Sequence, residues 1–312
     1  MILCTGEALI DMVPLLPEKG AAATDQPPRF AALTGGAVFN TAVALGRLGT
    51  PTGYLWPLSR DVFGERLSRP LAEAGVDLSL CPRSDRPTTL AFVTLYGGEA
   101  RYDFYDEGSA GRMFSAADLP RLPPEVTAIF CGGISLVPDP CGATVEALVA
   151  AESGRLPVMI DPNVRAFFVR DSDAYRARLM RFLRMADLVK LSGDDIEWLF
   201  PGKSGAEAAA EVLGLGARVV FLTSGGAGAR AIWGGGDILV KAPSVTVADT
   251  IGAGDTFNAG VLAALHRDGF LTKAGIAGIG ADGLRAALDL GTRAAAVTVS
   301  RSGANPPWAQ EI

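Results

Sequence analysis

Two carboxylates flank a run of three small residues near the C-terminus, in the segment Asp249-Thr250-Ile251-Gly252-Ala253-Gly254-Asp255. Apolar residues recur at helical spacing just after this run, so the pattern predicts that a helix begins there. The first amides of a helix have no internal partner and lie at the positive end of its dipole. Because Gly252, Ala253 and Gly254 lack bulky side chains, an anion could reach those amides closely. Asp255, in the same turn, would then be placed to accept a proton from an attacking hydroxyl.

The same residues are also compatible with an ordinary N-capped helix that is entered through a glycine-rich turn. A bare Gly-Ala-Gly would not separate these two interpretations. The spacing of Asp249 and Asp255 on either side of the glycines favours the chemical interpretation. We therefore expect an anion-binding helix start with a general base beside it.

Composition and charge narrow the class of protein. The chain has 312 residues, 49% of them hydrophobic, and no unbroken apolar run reaches membrane-spanning length. The N-terminus carries no basic region or cleavage site of a signal peptide, so we expect a soluble, cytoplasmic protein without a membrane partner. The net charge is −6, with acids and bases interspersed, and no basic cluster contains interleaved aromatics. Nucleic acid is therefore not an expected partner.

Few residues are available for metal or thiol chemistry. Histidine occurs once, as His266, and the four cysteines are scattered without a CxxC pair. One histidine cannot form a His-based metal site, and no nucleophile motif accompanies it. Isolated cysteines near apolar stretches are expected to be buried and inert. The chemistry must therefore use carboxylates, backbone amides and Arg or Lys side chains, with or without an added metal.

Strand-like and helix-like segments alternate through most of the chain. Strands are predicted at residues 1–5, 53–58, 126–131, 158–161, 188–191 and 219–223. Helices are predicted at residues 38–48, 63–74, 143–152, 174–185 and 206–213, with a hairpin at 229–241 and a long helix at 284–299. Continuously apolar strands separated by helices predict an α/β protein with a parallel sheet covered on both faces.

Two stretches break this alternation. Residues 13–30 are rich in Pro and Ala, and residues 88–105 hold two strands around a turn at Gly97-Gly98. Together they predict a small β-rich lid, formed from about residues 12–32 and 88–112, that is separate from the main sheet. The alternative is an extra hairpin on the edge of that sheet.

The run Asp-Thr-x-Gly-Ala-Gly-Asp resembles the second motif of the PfkB, or ribokinase-like, family of sugar kinases. Further segments match the family in the right order along essentially the whole chain. Gly35-Gly36 followed by Asn40 resembles its sugar-binding motif, and Asp11 matches an early carboxylate that bonds sugar hydroxyls. Asp161-Pro162-Asn163-Val164-Arg165 resembles the Asp-Pro-Asn-x-Arg segment, whose Arg would contact a sugar hydroxyl or the transferred phosphoryl group.

The resemblance also implies a nucleotide side. Thr223-Ser224-Gly225-Gly226-Ala227-Gly228 matches a turn that lines the phosphates and ribose. Lys190 and Ser192 belong to a segment in the place of an Asn-x-x-Glu motif that is tied to phosphate and Mg²⁺. In this segment Ser192 replaces the Asn and Asp195 replaces the Glu. The predicted contact of Asp195 with Mg²⁺ therefore runs through water.

For the whole chain, the resemblance implies one ribokinase-like catalytic domain over residues 1–312. Its fold would be a three-layer α/β/α arrangement with a mostly parallel central sheet and a β lid. ATP with Mg²⁺ would lie against Gly252, Ala253 and Gly254, with Arg165 nearby, while Asp255 deprotonates a primary hydroxyl of a sugar. Family members often dimerise through the lid, so a homodimer is an expectation. A monovalent cation such as K⁺ near Asp249 and Ser300 is another.

The identity of the sugar depends on fewer residues. Relatives that act on 2-keto-3-deoxygluconate carry Tyr-Tyr-Arg in the lid, where the Arg meets the substrate carboxylate. This chain has Phe104-Tyr105-Asp106 at that place. Asp106 would repel an acid sugar, so we expect a neutral ketose near Phe104, and the motifs look most like those of bacterial fructokinases. A 2-keto-3-deoxygluconate kinase, a ribose or nucleoside kinase and a non-catalytic sugar-binding protein on this fold are the alternatives.

Overall fold

A computed structural model describes residues 1–15, 28–96 and 99–312 of the protein. Its strands form a large sheet, a four-stranded sheet and a two-stranded sheet. The strands are β1 Ile2–Thr5, β2 Leu9–Pro14, β3 Phe30–Gly35, β4 Thr52–Tyr54, β5 Leu58–Ser59, β6 Arg83–Ser84, β7 Leu90–Tyr96, β8 Glu99–Tyr105, β9 Ala128–Gly132, β10 Val158–Asp161, β11 Leu188–Leu191, β12 Val219–Thr223, β13 Ala229–Trp233 and β14 Gly236–Val240.

Helices connect most of the strands of the large sheet. They are α1 Ala37–Arg47, α2 Val62–Glu73, α3 Cys141–Glu152, α4 Ser172–Met185, α5 Gly193–Leu199, α6 Gly205–Leu215, α7 Ala253–Arg267, α8 Lys273–Ala277 and α9 Ala281–Val299. Within the described ranges, no helix combines the length and the apolar character that a membrane span requires.

The large sheet has the strand order β14-β13-β12-β11-β10-β9-β1-β4. The six strands from β12 to β4 are parallel, β13 is antiparallel to β12, and β14 is antiparallel to β13. The chain moves from β1 to β4 in one direction and from β9 to β12 in the other. Since parallel crossovers are right-handed, these two movements place the connecting helices on opposite faces. The predicted three-layer arrangement with a mostly parallel sheet is confirmed.

Burial in the large sheet follows from this topology. Every residue of β1, β9, β10 and β11 is buried, as expected for parallel strands covered on both faces. Helix α7 packs against α1 and α9 and is buried without a break from Asp255 to Leu265. A helix that is buried on every side is held by neighbours all round, so its first turn has a fixed position.

Most predicted boundaries agree with the structure to within a few residues, and β10, β11 and β12 agree residue for residue. The strand predicted at residues 53–58 is wrong in its second half, because β4 ends at Tyr54. Leu58 and Ser59 pair instead with Arg83 and Ser84 in the two-stranded sheet. Pro57, which has no N–H to donate, separates the two segments.

The lid is a separate four-stranded sheet with the order β3-β2-β7-β8. It is therefore not an edge hairpin of the large sheet. Its strands run beyond the predicted 12–32 segment at both ends, from Leu9 to Gly35, while residues 106–112 follow the last strand without extending it. The predicted Gly97-Gly98 turn and residues 16–27 lie outside the described residues.

Candidate active site

A cavity of about 570 Å³ lies at the carboxyl edge of the large sheet, under the lid. The sheet changes winding direction between β1 and β9, which is where α/β proteins bind ligands. The predicted residues that line this cavity are Asp11, Gly35, Gly36, Asn40, Phe104, Arg165, Lys190, Gly252, Ala253, Gly254 and Asp255. The remaining predicted site residues do not line it.

The start of α7 forms one wall of the cavity. Gly252 is the N-cap, with a φ of 77°, and a Cβ on it would come within 2.8 Å of the Ala304 Cβ, so both backbone and packing require glycine. The predicted anion-binding helix start needs a correction at Ala253, because the Ala253 amide donates to the Thr250 carbonyl at 3.3 Å. Among the described residues, the amides of Gly254 and Asp255 have no acceptor and stay available.

Asp255 is 8% exposed and lies where α7 meets α1. Its Oδ2 accepts a hydrogen bond of 2.8 Å from Asn40 Nδ2. Burial raises the pKa of Asp255 to about 7, with the nearby Asp161 adding to the rise and the Asn40 bond and Lys190 opposing it. A carboxyl with a pKa near neutrality is suited to accept a proton from a hydroxyl at physiological pH.

A buried charge cluster lies beneath this turn, at the ends of β10 and β11. Lys190 Nζ is 3.2 Å from both carboxylate oxygens of Asp161, and Asn258 Nδ2 donates to Asp161 Oδ2 at 2.7 Å. These three side chains are all less than 5% exposed. Burial alone would lower the pKa of Lys190, but the Asp161 and Asp195 carboxylates outweigh it and the pKa is raised. The ammonium therefore stays charged.

Sequence reasoning missed two of the residues that shape the site. Asn258 lies one turn after Asp255 on α7, and this spacing was the available signal. Glu7, 6% exposed, accepts hydrogen bonds from the Ala37 amide at 3.0 Å and from the Ser135 amide at 3.1 Å. It thereby caps α1 and holds the glycine pair that precedes this helix. Its position directly after a buried strand was the available signal.

The glycine pair and Asp11 form the opposite, lid side of the cavity. A Cβ on Gly35 would come within 2.2 Å of Asp11 Oδ2, and one on Gly36 within 2.4 Å of the Glu7 carbonyl oxygen. These glycines therefore permit the close approach of β2, β3 and α1. Burial raises the pKa of Asp11 to about 6.

Aromatic side chains join the lid to the large domain. Tyr102 and Phe104 of β8 stack on Phe167, with ring centroids 5.5 and 6.3 Å from it, and Phe168 meets Phe104 edge-on at 4.8 Å. A second cavity, of about 650 Å³, lies beyond this stack and contains none of the residues around Asp255. The stack is therefore the wall between the two cavities.

The predicted role of Asp106 is wrong. Its carboxylate does not line the cavity but accepts a hydrogen bond of 2.8 Å from Arg112 Nη1. The side chain is 12% exposed and its charge is paired. Asp106 therefore gives no argument against an acid sugar.

Several predicted nucleotide and metal residues lie outside the cavity. Both oxygens of Asp195 already accept hydrogen bonds, Oδ1 from the Val164 amide and Oδ2 from the Ser192 amide and hydroxyl, because the two residues form a capping box at α5. Asp249 joins two loop segments by accepting from the amides of Ile251 and Gly303.

The turn after β12 contains the predicted residues Ser224, Gly225 and Gly228, and the predicted Thr223 is the last residue of β12. This turn begins at the carboxyl edge of the sheet, beside β11, and its first four residues are at least partly exposed. Gly228 has a φ of 105°, and a Cβ there would come within 2.1 Å of the Val240 carbonyl oxygen. The backbone conformation and the packing therefore require glycine at this position, whether or not a nucleotide binds there.

Comparison with known proteins agrees with this geometry. The pfkB family carbohydrate kinase profile matches residues 1–311. The chain belongs to the pfkB family of carbohydrate kinases. A fructokinase of Rhizobium leguminosarum bv. trifolii is 45% identical over 288 residues, 91% of this chain and 86% of the relative. Fructokinase-2 of Oryza sativa subsp. japonica is 31% identical, over 98% of this chain and 90% of its own length.

Solved structures of pfkB kinases share the fold. A fructokinase from Xylella fastidiosa with bound ATP superposes with a TM-score of 0.86 at 27% identity, covering 97% of this chain and 93% of that one. The ribokinase-like fold expected from the sequence is confirmed by this likeness. The pfkB motif at residues 249–255 coincides with the open start of α7.

Proposed function

We propose that this pfkB kinase is a fructokinase, which transfers the terminal phosphoryl group of ATP to a primary hydroxyl of fructose. The observation that carries the proposal is Asp255, a buried carboxylate with a raised pKa beside two free amides on the cavity wall. Relatives named fructokinase at 45% and 31% identity support the choice of sugar.

In the proposed reaction, Asp255 accepts the proton of the sugar hydroxyl as that oxygen forms its bond to phosphorus. The bond between phosphorus and the bridging oxygen breaks, and ADP leaves with the electron pair. Because the transition state of phosphoryl transfer is loose, positioning and charge stabilisation contribute more than base strength. The amides of Gly254 and Asp255, with Lys190 and Arg165, would supply that stabilisation.

Nucleotide binding is proposed along the carboxyl edge of the sheet. The turn after β12 begins beside β11, so a nucleotide whose last phosphate lies at the start of α7 could extend over it. The residues it would meet there are Thr223, Ser224, Gly225 and Gly228. Mg²⁺ would accompany ATP, held by phosphate oxygens and water, and would neutralise phosphate charge. Within the described residues, no group of three His, Cys, Asp or Glu side chains is arranged to hold a metal, which suits an ion that arrives with the nucleotide.

The two predicted ion contacts differ in how they fit this arrangement. Asp195 does not fit a metal role, because its buried oxygens are already engaged by three donors. Asp249 is half-buried and lies where two loops meet, with Ser300 at the end of α9. A K⁺ ion near Asp249 and Ser300 therefore stays a prediction, tested by comparing activity in potassium and tetramethylammonium buffers.

A second candidate substrate is 2-keto-3-deoxygluconate. The specific observation in its favour is that Asp106 is paired with Arg112 and does not line the cavity, whereas the exposed Arg165 lines it. A guanidinium could bind a substrate carboxylate with two hydrogen bonds.

The decisive experiment measures sugar-dependent release of ADP with fructose, ribose, 2-keto-3-deoxygluconate and a nucleoside. We expect the highest kcat/KM with fructose. A higher value with 2-keto-3-deoxygluconate would move the assignment to that acid. Binding of a sugar without release of ADP would indicate a non-catalytic sugar-binding protein.

We also propose a homodimer formed through the outer face of the lid. Phe30, Phe92 and Tyr105 form a row on that face, with ring centroids 5.3 Å apart at each step, and Tyr105 is 66% exposed. Light scattering of the protein and of Tyr105→Ser tests this proposal. A wild-type monomer at micromolar concentration would refute it.

A further inference from the structure

We infer that Asp161 and Asn258 are positioning residues that hold the Lys190 ammonium against the terminal phosphoryl group of the nucleotide. The inference deepens the proposed kinase function and depends on it. It concerns how the phosphoryl group is gripped and is independent of which sugar accepts it.

The first argument is the unused hydrogen-bonding capacity of Lys190. An ammonium carries three donors. Among the described residues, the only acceptor within hydrogen-bond distance of Lys190 Nζ is the Asp161 carboxylate, since Asp195 Oδ2 is 4.0 Å away. The side chain is 4% exposed, yet it lines the cavity beside Asp255. A buried ammonium with spare donors at a cavity wall can donate them to an acceptor inside that cavity, and an anionic acceptor would bind most strongly.

The second argument is the position of Lys190 relative to the helix start. A Cβ placed on Gly254 would lie 3.5 Å from Lys190 Nζ, so the ammonium lies directly against the first turn of α7. The N-terminus of α7, a helix of 15 residues, is itself electropositive. An anion that binds both groups would be attracted by each of them. A transferred phosphoryl group, whose charge is spread over three oxygens, is such an anion.

The third argument is the way Asp161 is held. Its Oδ2 accepts the 2.7 Å bond from Asn258 on α7, and its Oδ1 accepts from the Asn163 amide at 3.2 Å. Asn258 is 1% exposed and lies one turn after Asp255 on the same helix. One carboxylate therefore ties β10, β11 and α7 together, so that the lysine and the general base keep a constant separation. Stability alone does not explain this buried ion pair, because the cost of desolvating two charges can exceed the attraction between them.

Nucleotide binding provides a test that requires no sugar. Lys190→Met should weaken binding of adenosine 5′-(β,γ-imido)triphosphate by about tenfold or more, the range expected for a lost charge-assisted contact, while leaving ADP binding within about twofold. Asp161→Asn and Asn258→Leu should reduce the same preference for the triphosphate by smaller factors. The matched control is Lys273→Met, which breaks another Lys–Asp pair, Lys273 with Asp187, outside the cavity residues and should change neither affinity.

The pH profile of kcat/KM separates positioning from simple structural support. The ionisable groups around Asp255 are Glu7 after β1, Asp161 of β10 and Lys190 of β11; Asp161 and Glu7 raise its pKa and Lys190 lowers it. Lys190→Met should therefore move the acidic limb to higher pH, and Asp161→Asn to lower pH. Lys190→Arg should restore part of the triphosphate preference.

Equal loss of triphosphate and ADP affinity in Lys190→Met, or no loss of either, would overturn the inference. Acidic limbs that move in the same direction in the two charge variants would also overturn it. A wild-type protein that binds triphosphate but releases no ADP with any sugar would contradict the proposed function alone. Circular dichroism identifies variants that fail to fold, in which case Asn258→Ser, which keeps a polar group, replaces Asn258→Leu.

Discussion

The floor and the lid of the candidate active site are built by different interactions. The floor consists of buried charged and polar side chains, each bonded to groups from other elements: Asp255 to Asn40, and Asp161 to Lys190 and Asn258. The lid contributes aromatic rings, of which Tyr102 is 36% exposed. Hydrogen-bonded charges fix atoms in one geometry, whereas ring contacts are less directional and allow an element to open. We therefore expect changes in the floor to affect chemistry and changes in the lid to affect binding.

The largest effect is expected from Asp255→Asn, which removes the proton acceptor and keeps the side-chain shape. We expect kcat to fall by about 10²- to 10⁴-fold, the usual contribution of a positioned base. Steady-state ADP release measures this loss. Asp173→Asn is the matched control, since it changes an exposed Asp in the first turn of α4, and should keep full activity. Near-normal turnover of Asp255→Asn would contradict the expectation that changes in the floor affect chemistry.

A smaller effect is expected from Phe167→Ala, which removes the ring that both lid aromatics stack on. An aromatic contact contributes about 0.5–1.5 kcal/mol, so we expect the KM for sugar to rise by about 2- to 10-fold with kcat little changed. ATP hydrolysis without sugar should increase, because the cavity is less well closed to water. A fall in kcat comparable to that of Asp255→Asn would mean that the lid organises the chemistry.

The pH dependence should distinguish the same two regions. Because the pKa of Asp255 is about 7, kcat/KM should fall as the pH drops below about 7, where the carboxyl becomes protonated and cannot accept a proton. Asn40→Leu removes a hydrogen bond that lowers this pKa, so the midpoint should move to higher pH. Phe167→Ala should leave the midpoint unchanged. A midpoint that is insensitive to Asn40→Leu would argue against Asp255 as the titrating group.

The smallest expected effect is on stability. Folding raises the pKa of Asp255 from about 3.9 in the unfolded chain to about 7 in the protein. The ionised carboxylate therefore destabilises the fold at pH 8, and this cost disappears as the pH falls toward 4. At pH 8, Asp255→Asn should raise the free energy of unfolding by at most a few kcal/mol, and the Tm should rise with it. This gain should shrink toward pH 4. Equal gains at both pH values would contradict the charge explanation.

Regular elements were predictable where the local pattern was strong. β10, β11 and β12 are short continuous apolar runs, and the start of α7 carries its own sequence pattern. The end of β4 was mispredicted, because the apolar run continues past Tyr54 while its backbone changes partner. Apolar character records burial, and it contains no information about which strand lies alongside.

Site residues were predictable where they belong to a sequence motif. The residues to which they are hydrogen-bonded were not predictable. Asp106 was expected to face a substrate, and its pairing with Arg112 was invisible in a list of residues. The hydrogen bond of Asn258 to Asp161 joins residues 97 positions apart, and no motif links the two. Such contacts depend on strand order, which the local spacing does not encode.

The sequence by itself determined the family, the alternation of strands and helices along most of the chain, and the placement of Asp255 beside glycines at a helix start. Spacing along the chain is enough for these, because they depend on neighbours within a turn or a strand. Only the tertiary structure decided that Asp195 caps α5, that Asp106 forms an ion pair with Arg112, and that Lys190 lies beneath the first turn of α7. These outcomes required the sheet to bring distant carboxylates, amides and cations within hydrogen-bonding distance of one another.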